Sequence, residues 1–172
     1  MNSNFSYNGV VTIVERVNNK TVSRKCYNHG TSRLFEAYSR ALAGQPINNY
    51  IPQYIAITDV NGNNILNQAI PIIISYKDIN EDGGDYGVPY NRISTVLLKS
   101  MFSNIPIDKW KLKLKNSNNL NSDTDILAEV TTPDDTLSKS VDNMASSVQL
   151  TLLWDLYVSN PQTQSKLNDG GK

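Results

Sequence analysis

His29 is the only histidine and Cys26 the only cysteine in a chain of 172 residues, and they stand three positions apart. A thiol and an imidazole are what a nucleophile and its base would use, provided the two side chains converge. The run "TVSRKCYNH" that carries them is extended in character, and a three-residue step along a strand sends side chains to opposite faces. Neither G-x-S-x-G nor H-E-x-x-H occurs in the sequence. His29 with Gly30 is therefore expected at a strand-to-helix corner, Cys26 as a small buried hydrophobe, and the chain as no enzyme. Asp134 and Asp135 are neighbours in a "TTPDDT" turn, where carboxylates diverge into solvent instead of sharing a proton.

A second constellation lies in "DINEDGGDYGVP". Asp78, Asn80 and Asp82 alternate and Gly83 follows, as at the start of calcium loops, where alternating oxygens curl around the ion and glycine permits the sharp turn. The twelfth position is Pro89 instead of glutamate, and no helices flank the loop. Asp78, Asn80 and Asp82 are a candidate Ca²⁺ set, weighed against the plainer reading of an acidic, glycine-rich surface loop. No other cofactor is expected. Tyr50, Tyr54, Tyr76, Tyr86 and Tyr90 concentrate in the middle third. They would form a carbohydrate-contacting surface if they shared one groove, but tyrosines also serve sandwich surfaces and interfaces.

The elements that must position these residues are nearly all strands. "GVVTIVERV" and "TVSRKCYN" around "NNK" read as a β-hairpin, with Val11, Ile13 and Val17 on one face with Glu15, and Val22 with Cys26 on one face. "TSRLFEAYSRALAG" reads as the one helix, over about residues 31–43. Thr31 or Ser32 can cap it, Glu36 lies near its first turn, and Gly44 followed by Pro46 ends it. Leu34, Phe35, Tyr38, Ala41 and Leu42 follow helical spacing and are expected as its buried face. "PQYIAITDV", "RISTVLLKSMF" and "ILAEVTT" read as strands. "AIPIIISYKDI" is a very apolar strand in which Pro71 marks a start, an edge or a bulge, since proline cannot donate to a ladder.

In "WKLKLK", Trp110, Leu112 and Leu114 should face inward and Lys111, Lys113 and Lys115 water. The last strand has the strongest pattern: Val148, Leu150, Leu152, Trp154, Leu156 and Val158 take every second position, which requires one buried face. Short connections and a single helix favour an antiparallel two-sheet β-sandwich, jelly-roll-like, with the helix across an end or edge. The expected organisation is an N-terminal arm at 1–8, a sandwich domain at 9–160 and a polar tail at 161–172. The loops at 78–90, 116–125 and 132–146 are long enough to order against neighbouring molecules.

Lys plus Arg equals Asp plus Glu at 16 each, so the chain is formally neutral and lacks the basic footprint of a nucleic-acid binder. A neutral surface also offers little protection against self-association. The 22 asparagines fit a loop-rich protein. A single cysteine rules out an internal disulfide. "MNSNFSYNGV" lacks a basic n-region and a long apolar h-region, and no apolar run approaches 18 residues. Neither a signal peptide nor a membrane span is expected, and synthesis in a cytoplasm is.

"YNHGTSRLFEAYSRALAG" is similar to a segment of bacteriophage virion proteins in which a strand ends in an Asn-x-Gly-Thr-like corner and runs into one amphipathic helix. In those proteins the helix is followed by strand text of the P-x-x-I-A-I kind, matched here by Pro52, Ile55, Ala56 and Ile57. They end on a long alternating strand with a central Trp, matched by Leu150, Leu152, Trp154, Leu156 and Ser159. The likeness runs from about residue 9 to 160. An "E-x-G-L" signature frequent in the middle strand of that family is missing here.

The resemblance implies a virion structural protein, assembling with copies of itself and other virion proteins as a ring or multimer at the head–tail junction, tail or fibre attachment. The alternative is a receptor- or carbohydrate-binding module of a fibre or capsid-surface appendage. Exposed tyrosines sharing a groove would favour that module.

Overall fold

The hairpin forms as β1 (Ser6–Val17) and β2 (Lys20–His29) in the computed structural model, which describes residues 6–17, 20–29, 31–78, 87–102, 110–122, 124, 126–131 and 149–159. The other strands are β3 (Tyr54–Asp59), β4 (Ile70–Pro71), β5 (Ile73–Lys77), β6 (Tyr90–Leu98), β7 (Trp110–Lys115), β8 (Ile126–Thr131) and β9 (Gln149–Ser159). One helix, α1 (Ser32–Leu42), and a 3-10 turn at Asn48–Tyr50 lie between β2 and β3. All pairings are antiparallel, giving a five-stranded sheet ordered β2-β1-β9-β6-β5 and a four-stranded sheet ordered β4-β3-β7-β8. The expected two-sheet β-sandwich with one helix is the observed architecture.

β9 is central to the larger sheet, between β1 and β6. Its alternation has the expected consequence: Leu150, Leu152, Trp154 and Leu156 are all buried in one core with Val11, Ile13, Ile93 and Leu97. Val148 lies outside the described residues. The opposing layer contributes Ile55, Ile57, Leu112, Leu114, Ala128 and Val130. Phe102 stacks at a tilt on Trp110, with ring centroids 5.2 Å apart. The register lines up one cross-sheet rung: Cys26 opposite Val11, Val11 opposite Trp154, Trp154 opposite Ile93, and Ile93 opposite Ile74.

The layers meet differently at their two lateral edges. At one edge β2 stacks on β8, with α1 packed beside β8. At the other, the chain crosses between sheets: β4 ends at Pro71, and one residue later β5 begins in the opposite layer. Pro71 thus sits on an edge strand at a break, a position its missing N–H permits.

β1 begins at Ser6 and pairs with β9 from there, so residues 6–8 belong to the sheet and not to a free arm. β7 is an interior strand, between β3 and β8. Lys111 is partly exposed, but Lys113 is buried and Lys115 retains only 1% exposure, against the expectation that all three face water. The segment after β7 explains the difference for Lys115. Its ammonium donates to the carbonyls of Asn119 and Ser122, the latter at 2.6 Å, so residues 116–122 fold back over it. Asn116 ties the same segment to the carbonyls of Asn48 and Ile51 at 2.9 and 2.8 Å. This part of the expected 116–125 docking loop is committed to its own chain.

Candidate functional site

Among the described residues, the chemistry-bearing side chains form no cluster of metal-ligand type. Cys26 and His29 take positions of opposite parity on β2, opposite Val11 and Asn8. Cys26 is a buried free thiol, and burial pushes its pKa up, away from the nucleophilic thiolate. Asp78 is exposed after the end of β5, while Asn80, Asp82 and Gly83 lie outside the described residues, as do Asp134 and Asp135. Among the described residues no group of three His, Cys, Asp or Glu is placed to hold a metal ion.

Among the described residues, Tyr50, Tyr76 and Tyr90 do not share a groove. Tyr90 is buried with Val10 and Tyr157 on the outer face of the five-stranded sheet. Arg92 lies over its ring at 5.4 Å and pairs bidentately with the buried Asp155 at 2.8 and 2.9 Å. Tyr76 is exposed on β5, opposite Asn91, at a position of the other parity. Tyr50 is engaged by α1: its hydroxyl donates to Glu36, and Arg33 and Arg40 lie over its ring at 5.5 and 5.0 Å. Tyr86 lies outside the described residues.

Two uncovered apolar surfaces are the features that remain. The first is on α1. Thr31 occupies the N-cap position with extended backbone, yet its hydroxyl makes no cap bond and donates instead to the carbonyl of Leu127. That carbonyl is accessible because β8 bulges there: Leu114 pairs with Ala128 and Lys115 with Ile126, leaving Leu127 between them. The helix ends as expected. Gly44 has φ of 65°, its N–H donates to Ala41 and that of Gln45 to Arg40, the paired bonds of a Schellman motif. Glu36 lies beyond the first turn and serves Tyr50 and Arg40. Those contacts, Tyr50 first, hold its carboxyl below the ordinary range.

The expected buried face of α1 is for the most part not buried. Leu34 alone enters the core, while Phe35, Tyr38 and Leu42 retain 39, 52 and 73% of their exposure and Ala41 is exposed. The contacts that hold α1 come from Thr31 at its N-cap, which bonds the Leu127 carbonyl of β8, and from Tyr50, which engages Glu36, Arg33 and Arg40. Ile51 adds a further exposed apolar side chain just after the 3-10 turn.

The second surface is the opposite lateral edge. On β5, Ile73 and Tyr76 keep 71 and 63% of their exposure and Ile74 is also exposed, as is Val96 on the adjoining β6. Pro71, Ile73, Ser94, Thr95, Val96 and Thr151 line an open, largely apolar groove of about 360 Å³ there. Helical spacing places the stripe of α1 in the interior, whereas for the apolar β5 stretch the sequence leaves a strand start, an edge or a bulge open. Pro71 was the available clue to an edge. No protein-family model, curated protein or solved structure matches the chain.

Proposed function

We propose that the chain is a structural subunit of a bacteriophage particle that assembles as a ring or multimer at the head–tail junction, tail or fibre attachment. The observation that carries the assembly reading is the pair of uncovered apolar surfaces, Phe35, Tyr38 and Leu42 on α1 and Ile73, Ile74 and Tyr76 on β5. They lie at opposite lateral edges of one sandwich. A subunit that repeats in a ring or multimer needs contacts on more than one side. Apolar area held on a stiff two-layer body is suited to that task, because little of it has to be ordered on docking. Zero formal charge leaves no long-range repulsion between copies. The similarity of the 27–44 segment and the Trp154 strand to virion proteins supplies the setting.

The direct test is proteomics and cryo-electron microscopy of particles whose genome encodes this chain. The expected result is many copies per particle in one symmetric position. Absence of the chain from purified particles would overturn the virion setting.

A further inference from the structure

We propose that β5 is a strand-addition edge at which a second copy of this chain pairs antiparallel, β5 against β5, across a twofold axis. The proposal rests on the reading of the chain as a self-assembling subunit and names the contact. A sheet edge presents unpaired N–H and C=O groups, and proteins ordinarily blunt it with charge, proline, shortness or a covering element. Three of the four edges here are blunted. β2 carries Lys20, Arg24 and Lys25 along its length. β4 is two residues long and ends in proline. β8 has α1 packed beside it, with the Leu127 carbonyl taken by Thr31. β5, "IISYK", has neither proline nor bulge, and its register with β6 is unbroken. Its one charge is Lys77, at its last position.

The strand is complementary to itself. Antiparallel pairing centred on Ser75 sets Ser75 opposite Ser75, Ile74 opposite Tyr76, and Ile73 opposite Lys77. The two lysines then lie four residues apart, roughly 13 Å at ~3.3 Å per residue, beyond the Debye length of about 8 Å in physiological salt. The rung that runs from Cys26 through Val11, Trp154 and Ile93 ends on the half-exposed Ile74. A partner's Tyr76 would extend it, an aromatic on a β-branched residue, which is a favoured cross-strand pair. All strands already pair antiparallel, so the contact continues the existing pattern into a ten-stranded sheet.

The test uses the full chain and analytical ultracentrifugation. Wild type is expected to show a concentration-dependent dimer or a multimer built from it. I74K/Y76K sets lysine against lysine at both cross-strand pairs and should weaken the β5 contact by about tenfold or more. Mixing it with I74E/Y76E should restore association, a result that loss of folding cannot mimic. Oxidised S75C should give a disulfide-linked dimer, because directly opposed residues have Cα atoms about 4.5–5.5 Å apart, within disulfide reach. Self-association that survives I74K/Y76K, with no S75C cross-link and with a Y38C cross-link in its place, would overturn the β5 contact and leave the assembly reading standing on α1. Wild type that stays monomeric at about 100 µM, with S75C uncross-linked, would sink the β5 contact and remove the support for self-assembly together.

Discussion

Trp154 is fully buried between Val11 and Ile93 in the centre of the larger sheet. Truncation there removes one of the two tryptophans of the core and leaves a cavity that neighbouring strands cannot close. Trp154→Ala is expected to cost about 3–5 kcal/mol, read as a fall in the midpoint of denaturant unfolding. Cys26, on the same rung, reports on the same core. Its buried thiol should resist alkylation at neutral pH in the folded chain and label at the rate of a free thiol once the chain is unfolded in urea. Fast labelling under native conditions would show that this part of the sheet opens.

Asp59 makes a pH prediction. Its carboxylate accepts from the Asn63 side chain at 2.7 Å and from the main-chain N–H groups of Asn61 and Asn63 at 2.8 Å each, closing the turn after β3. The Asn63 side chain is the largest of the contacts that hold its pKa below the ordinary carboxylate value. A depressed native pKa means that the stabilisation is complete above the unfolded value of about 4 and is lost as pH falls through the native one. Asp59→Asn should therefore lower stability at pH 7, and the gap from wild type should narrow as pH falls below about 4. A gap that does not change between pH 6 and 3 would remove the carboxylate from this role.

Among the elements, α1 divides into a half that belongs to the fold and a half that faces outward. Leu34→Ala should destabilise by about 2–3 kcal/mol, because it empties a core position. Tyr38→Ser and Leu42→Ser should shift the unfolding free energy by no more than about 0.5 kcal/mol, as exposed substitutions do. Gly44→Ala should cost about 1 kcal/mol through the positive φ of the C-terminal cap, although nothing crowds a Cβ there. Thermal or chemical unfolding of the four variants checks the partition. A large loss from Leu42→Ser would mean that the outer half of the helix is packed after all.

For the molecule as a whole, the two apolar edges imply that surface substitutions and core substitutions will separate cleanly. Changes at Phe35, Tyr38, Leu42, Ile74 and Tyr76 should alter sedimentation while leaving the far-ultraviolet circular dichroism of the sandwich unchanged. Changes at Trp154 or Leu112 should lower the unfolding midpoint while leaving the association of the folded chain unchanged. The layers share one core to which both sheets and α1 contribute, so the sandwich should unfold in a single transition. Two separated thermal transitions would contradict that.

Local chemistry by itself determined which elements form. Period-two alternation in β9, β-branched residues in the hairpin and Gly44 after a helical pattern act over a few neighbouring positions, so they are legible without coordinates. It also determined the rejection of a Cys26–His29 pair, since parity along a strand is a local property. Placement was decided only by tertiary structure. Alternation says that Lys113 and Lys115 share a face, but not that β7 is an interior strand or that residues 116–122 fold back over Lys115. The spacing of Phe35, Tyr38 and Leu42 defines an apolar stripe, but whether a stripe is covered depends on how far the sheets extend beneath it. Burial is a relation between segments distant in the chain, and no pattern within one segment contains it.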